Sequence, residues 1–117
     1  MELITKAQRA AMRCNWDTTR SMELVDRQHD PIPVVRILTP DANASWLLTE
    51  LSPDGDTVFG LCDLGLGYPE LGYESLVELC ALRGAYGLPV ENDEYFNADR
   101  TLSAYYKAAR RLHFPFV

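Results

Sequence analysis

The 117 residues carry 47% hydrophobic and 24% charged side chains and a formal net charge of −6. That usage is typical of one globular domain, large enough to bury a core without disulfides or a structural metal, and it argues against a disordered tail. No apolar run approaches the roughly 18 residues of a membrane span, the N-terminus lacks a secretory leader pattern, and the negative charge disfavours direct contact with nucleic acid.

Thr5 followed by Gln8 forms a capping box and predicts a first helix near Lys6–Cys14, with Ala7, Ala10, Ala11 and Met12 as its contact face. Residues 15–32 read as irregular, with Met22, Leu24 and Val25 against the core and Pro31 and Pro33 ending any helix. Three strands follow, Val34–Leu38, Ser45–Leu51 and Thr57–Asp63. The last two form a hairpin, because Pro53, Asp54 and Gly55 supply the angles of a tight turn. Residues 64–73 read as a glycine-rich loop. Ser75 and Glu78 then make a second capping box for a helix that ends at Gly84, with Leu76, Leu79 and Cys80 on its apolar side. Residues 85–98 read as another loop. A last helix starts at Asp99 as N-cap. It gathers Leu102, Tyr105, Tyr106, Ala109, Leu112 and His113 on one arc, sets its basic residues opposite, and stops before Pro115. The order predicts a single α+β domain over residues 1–117, a small antiparallel sheet of about three strands packed with two to three helices, in which 98–117 is a basic amphipathic helix.

Charge falls in blocks. Residues 1–40 have net +1, residues 41–99 net −11 with Arg83 as the one base, and residues 100–117 net +4. Either the acidic body packs its own basic helix, or it offers an acidic face to a basic partner. Cys14, Cys62 and Cys80 fit neither a disulfide framework nor a zinc knuckle. They point to a reducing cytoplasm, with Cys62 and Cys80 as small buried hydrophobes.

Catalytic templates find little purchase. Gly65-x-Gly67 has Glu70 where a dinucleotide loop wants a small residue, and no Lys-Ser/Thr pair follows. Asp54-Gly55-Asp56 begins like a calcium loop, but Val58 stands where an oxygen ligand belongs. His29 and His113 belong to no zinc frame, and His113 reads as packed. No cofactor is expected. Asp63, Glu70, Glu74, Glu91 and Asp93 could gather as an acid–base pair, but geometry has to decide that. Trp46 and Phe96 read as core, whereas Tyr68 and Tyr73 suit an interface, where rigid rings anchor a partner.

The run Pro69-Glu70-Leu71-Gly72-Tyr73-Glu74-Ser75-Leu76-Val77-Glu78-Leu79 resembles an uncharacterised bacterial family, the domain-of-unknown-function 2958 group. The resemblance continues through Leu82-Arg83-Gly84, Gly87-Leu88-Pro89-Val90-Glu91, Pro33-Val34-Val35, Trp46 with Thr49-Glu50, and Phe59-Gly60-Leu61-Cys62-Asp63, covering most of residues 3–97. Where the family tends to read Glu-Arg-Asp, this chain has Glu91-Asn92-Asp93, and residues 98–117 look like an extension. The resemblance implies a small cytoplasmic protein of plasmids, phages and integrative elements, among accessory or anti-defence genes, and it brings no catalytic residue.

The leading expectation is a non-enzymatic interaction protein. Asp63, Glu70, Glu91 and Asp93 would steer a basic protein partner, such as a nucleic-acid-binding defence complex, and Tyr68 and Tyr73 would hold it, with no membrane and no direct nucleic acid involved. The alternatives are a small metal- or ligand-dependent enzyme using the clustered carboxylates, and a self-assembling module that forms a homodimer through the last helix.

Overall fold

Thr5 opens the first helix as expected. Its hydroxyl accepts from the Gln8 amide at 3.0 Å and its own N–H donates to Gln8 Oε1 at 2.9 Å. This helix, α1 (Lys6–Glu23), runs well past Cys14, in a computed structural model that describes residues 2–113, with His113 described by its backbone alone. The expected break fails because the polar second half is tied to the sheet. Arg13 donates to the Leu51 carbonyl and Asn15 to that of Thr49, and Trp16 meets Tyr73 edge-on at 6.2 Å. Tertiary anchoring thus outweighs the low helix propensity of Thr18 and Thr19. Ala7, Ala10 and Ala11 are exposed, and Met12 alone of that group enters the core. Leu24 (87% exposed) and Val25 also face solvent, because the helix ends before it could turn them inward.

The remaining elements are β1 (Val35–Leu38), β2 (Ser45–Leu51), β3 (Thr57–Asp63), β4 (Glu70–Ser75), α2 (Leu76–Ala81), β5 (Glu91–Asn92) and α3 (Leu102–His113). The result is an α+β domain whose five strands are ordered β4-β3-β2-β1-β5, all antiparallel, rather than the expected three. The two additional strands lie in segments read as loops. β4 pairs residue by residue with β3 from Cys62↔Glu70 to Thr57↔Ser75, so Tyr73 sits in a strand. Two glutamates, a glycine and a serine among its six residues leave Tyr73 as its one strong strand former, and pairing with an open edge supplies the order instead. β5 is only two residues long, beside Ile37 and Leu38.

The β2–β3 hairpin matches the expectation to the residue. Asp54 closes its turn by accepting from the Asp56 and Thr57 amides and the Thr57 hydroxyl. Those bonds hold its carboxyl well below the usual carboxylate range. The ladder shifts register between Leu48 and Glu50, a bulge at Thr49. Gly60 lies so close to β2 that a Cβ there would stand 2.0 Å from the Leu47 carbonyl.

Helix ends also depart from expectation. Ser75 caps α2, accepting from the Glu78 amide, while Asp56 receives the Ser75 hydroxyl and the Val77 N–H. The helix stops at Ala81, short of Gly84, and Cys80 is exposed. Gly84 serves the Asp41 carboxyl instead, which presses on it and accepts from the Tyr86 and Leu88 amides. Asp99 is not the N-cap of α3. Its carboxylate takes Arg100 and the Tyr105 hydroxyl, and the first turn of α3 is held by Thr101 Oγ1 and by Asp30. The packing expected of the His113 side chain, and the stop at Pro115, lie outside the described residues.

The sheet buries both faces. One carries Val35, Ile37, Trp46, Leu48, Leu51 and Val58 against Met12 of α1 and Leu76 and Leu79 of α2. The other carries Leu47 and Leu61 under α3, with Phe59, Phe96, Tyr105, Tyr106 and Ala109 packed around. Among the described side chains of its apolar arc, α3 turns Leu102, Tyr105, Tyr106 and Ala109 toward its own sheet and leaves Leu112 exposed.

Candidate functional site

α3 lies across the second face of the sheet and leaves an opening on each flank. On one flank Arg36, Leu47, Leu61, Asp63, Asp93, Tyr95, Phe96 and the α3 residues Tyr105, Ala109 and Leu112 line a groove of about 480 Å³. On the other, Leu102, Ser103 and Lys107 of α3 face Thr19, Glu23, Arg27, His29, Glu50, Phe59 and Leu71 across a cleft of about 540 Å³.

The groove brings together two of the acids singled out from sequence. Asp63 ends β3, half-buried, and its carboxylate accepts from the Gly65 amide. Asp93 follows β5. One oxygen accepts from Arg36 Nη1 at 2.9 Å and the other from the Tyr95 amide at 3.0 Å, so its position is fixed. Tyr95 beside it is 94% exposed. Glu91, exposed on β5, lines an adjoining hollow together with Asp93 and Tyr95, so these two acids share an opening. The remaining candidates stand apart. Glu70 begins β4, exposed, opposite Cys62. Tyr73 is on the opposite side of that strand, 57% exposed, with its ring 5.0 Å from Phe59. Tyr68 is 69% exposed in the 64–69 loop, alongside the exposed side chains of Leu64 and Leu66.

Among the described residues, Glu70 and Glu91 join no ion pair. Two of the α3 cations have partners of their own: Lys107 acts on Asp30, and Arg110 lies over the Tyr106 ring at 5.6 Å. No three His, Cys, Asp or Glu side chains among the described residues form a metal-binding group. Burial pushes the Cys62 thiol up to about 11, with Glu74 adding to the rise, so it stays a thiol at neutral pH. No helix of the described residues is long and apolar enough to cross a membrane.

The second cleft was not anticipated from sequence. Among its lining residues is Glu50, 4% exposed and one residue from the end of β2. Arg20 Nη2 is 3.6 Å from Glu50 Oε1, yet that oxygen accepts no hydrogen bond. Burial raises the Glu50 carboxyl, against the opposing pull of the Thr19 hydroxyl, Arg20 and His29. Thr19 Oγ1 and His29 Nδ1 are 2.9 Å apart. The signal in the sequence was a charged residue inside the apolar run Trp46-Leu47-Leu48-Thr49-Glu50-Leu51. The partners came from residues 15–32, which carried no readable pattern.

A family model described as "Protein of unknown function (DUF2958)" matches residues 3–113, a span that includes α3. Neither the curated proteins nor the solved structures contain a match to the chain.

Proposed function

Because the chain belongs to DUF2958, a family of unknown function, its role has to be read from its own surface, and we propose that it is a non-enzymatic binding module presenting an acidic, ring-bearing face to a basic protein partner. The observation that carries this reading is the exposure of Tyr68, Tyr73 and Tyr95, each within two positions of an acidic residue in the chain. Exposed rings and aliphatic side chains grouped in one loop, as Tyr68 is with Leu64 and Leu66, mark interaction surfaces. The groove holding Asp63 and Asp93 offers Leu47 and Leu61 as an apolar floor and two carboxylates at its wall, which suits a protruding apolar side chain flanked by Lys or Arg. A nucleic-acid-binding defence complex presents such a surface. In this reading the protein is a cytoplasmic accessory factor of a mobile element that blocks such a complex, in the manner of an anti-restriction or anti-CRISPR protein.

The test is capture of partners from the native host by the full chain, followed by affinity measurements over a salt series. A basic partner should bind less tightly as ionic strength shortens the roughly 8 Å screening length. Tyr68→Ala combined with Glu70→Lys should weaken it about tenfold or more. Binding indifferent both to salt and to that double variant sinks the proposal.

A further inference from the structure

A strand at the rim of a sheet carries unpaired backbone groups, and folds ordinarily blunt such rims with charge, proline, a bulge or a covering element. β5, at one rim of this sheet, is two residues long and offers little to pair with. β4, at the other, runs six residues, and its ladder with β3 goes from Cys62↔Glu70 to Thr57↔Ser75 without a bulge. It contains neither lysine nor proline. Just beyond the ladder, the Leu76 N–H donates to the Asp56 carbonyl at 2.9 Å. Antiparallel bonding alternates, so Glu74, Gly72 and Glu70 direct their backbone groups to β3, whereas Leu71 and Tyr73 turn theirs outward. Among the described residues, no backbone group from outside the sheet bonds to either.

The side chains follow the same alternation. Leu71 and Tyr73, both exposed, share one face with Leu61 and Phe59 of β3, and Glu70 and Glu74 lie on the other with Gly72 between them. Glu74, like Glu70, joins no ion pair among the described residues. A second copy of this chain is a poor occupant. Antiparallel pairing about Gly72 would set Glu70 of each copy opposite Glu74 of the other, and like charges directly opposite destabilise a pair of strands. An extended segment with Lys or Arg at alternate positions reverses that sign. We propose that the free rim of β4 receives an extended, alternately basic and apolar segment of another protein as a sixth strand of the sheet. Its basic side chains stand opposite Glu70 and Glu74, its apolar ones beside Leu71 and Tyr73, and its backbone exchanges hydrogen bonds with those last two residues. Between the acids there is room, since a Cβ at Gly72 would meet nothing within 4 Å. This mode of docking rests on the basic-partner reading above.

Titration of the full chain with the labelled peptide Lys-Val-Lys-Val-Lys-Val-Lys, followed by fluorescence anisotropy, tests it. The peptide should saturate one site and bind less tightly as salt rises. N-methylation of its valine nitrogens, which removes the donors facing β4, should weaken it about tenfold or more, and N-methylation of its lysine nitrogens, which face solvent, less than about threefold. Leu71→Pro deletes an outward N–H and leaves the ladder with β3 intact, so it should weaken the peptide about tenfold in a chain that still melts cooperatively. Glu70→Lys with Glu74→Lys should release the peptide and accept Glu-Val-Glu-Val-Glu-Val-Glu in its place. The proposal is overturned by no saturable binding up to about 1 mM, by equal affinity for the two methylated peptides, or by a folded Leu71→Pro chain that binds as well as the parent. Salt-sensitive binding that ignores both backbone changes removes the added strand and leaves the basic partner standing. Binding indifferent to salt and to the charge reversal removes both.

Discussion

Glu50 is one residue whose ionisation the fold opposes. Burial favours its neutral form more than Thr19, Arg20 and His29 together favour the charged one, so its folded pKa lies above the unfolded value. The stability this group contributes is therefore fully present below the unfolded pKa and lost as pH rises through the folded one. Glu50→Gln keeps the shape and removes the titration. Thermal melts should show the variant more stable than the parent near pH 7.5 by about 1 kcal/mol, or about 4 °C, with the gap closing toward about pH 4. A variant less stable than the parent at pH 7.5 would mean that the Arg20 attraction outweighs desolvation.

Among the elements, those set by short-range chemistry were readable. The Thr5–Gln8 box, the Asp54 turn and the two strands it joins all follow from residues a few positions apart. Those set by distant partners were not. The second half of α1 needs the carbonyls of β2, β4 needs the free edge of β3, and the start of α3 needs Asp30 from the far side of the chain. The same division applies to the site. Asp63 and Asp93 were recognisable as acids near strand ends, but Glu50, His29 and Thr19 form a cluster only once α1 is longer than its pattern suggests. Asp30 allows a direct test. Burial works against its ionisation, but the hydroxyl and amide of Ser103 outweigh that and lower its pKa. The resulting stability is present above the unfolded carboxylate pKa and lost as pH falls through the folded one. Asp30→Ala should cost about 1 kcal/mol at neutral pH and speed amide exchange in the first turn of α3, as removal of a helix cap does. Unchanged exchange there would show that Leu102, whose amide bonds to the Pro31 carbonyl, holds the helix alone.

As a whole the molecule is a slab of 46 × 42 × 22 Å. Its exposed area of 7497 Å² exceeds the roughly 6,400 Å² typical of a monomer of this mass. A thin body with elements on both faces of one sheet has little interior in which to hide a site, so its openings lie at the surface, beside α3. Both flanks mix charges: Asp63 and Asp93 stand with Arg36 on one, and Glu23, Asp30 and Glu50 with Arg27 and Lys107 on the other. The negative middle of the sequence was legible from composition alone, but the meeting of Arg27 and Lys107, eighty positions apart in the chain, appears only in the fold.

One partition standing between two compartments cannot shift for one tenant alone. If an occupant of either side tilts α3, the energy of that tilt enters both binding equilibria, and by linkage each ligand must alter the other's affinity by the same factor. Binding of a captured basic partner in the groove should therefore change amide exchange along the side of α3 that faces the other cleft. Unchanged exchange there would describe a helix too firmly seated at Leu47 and Leu61 to carry any message.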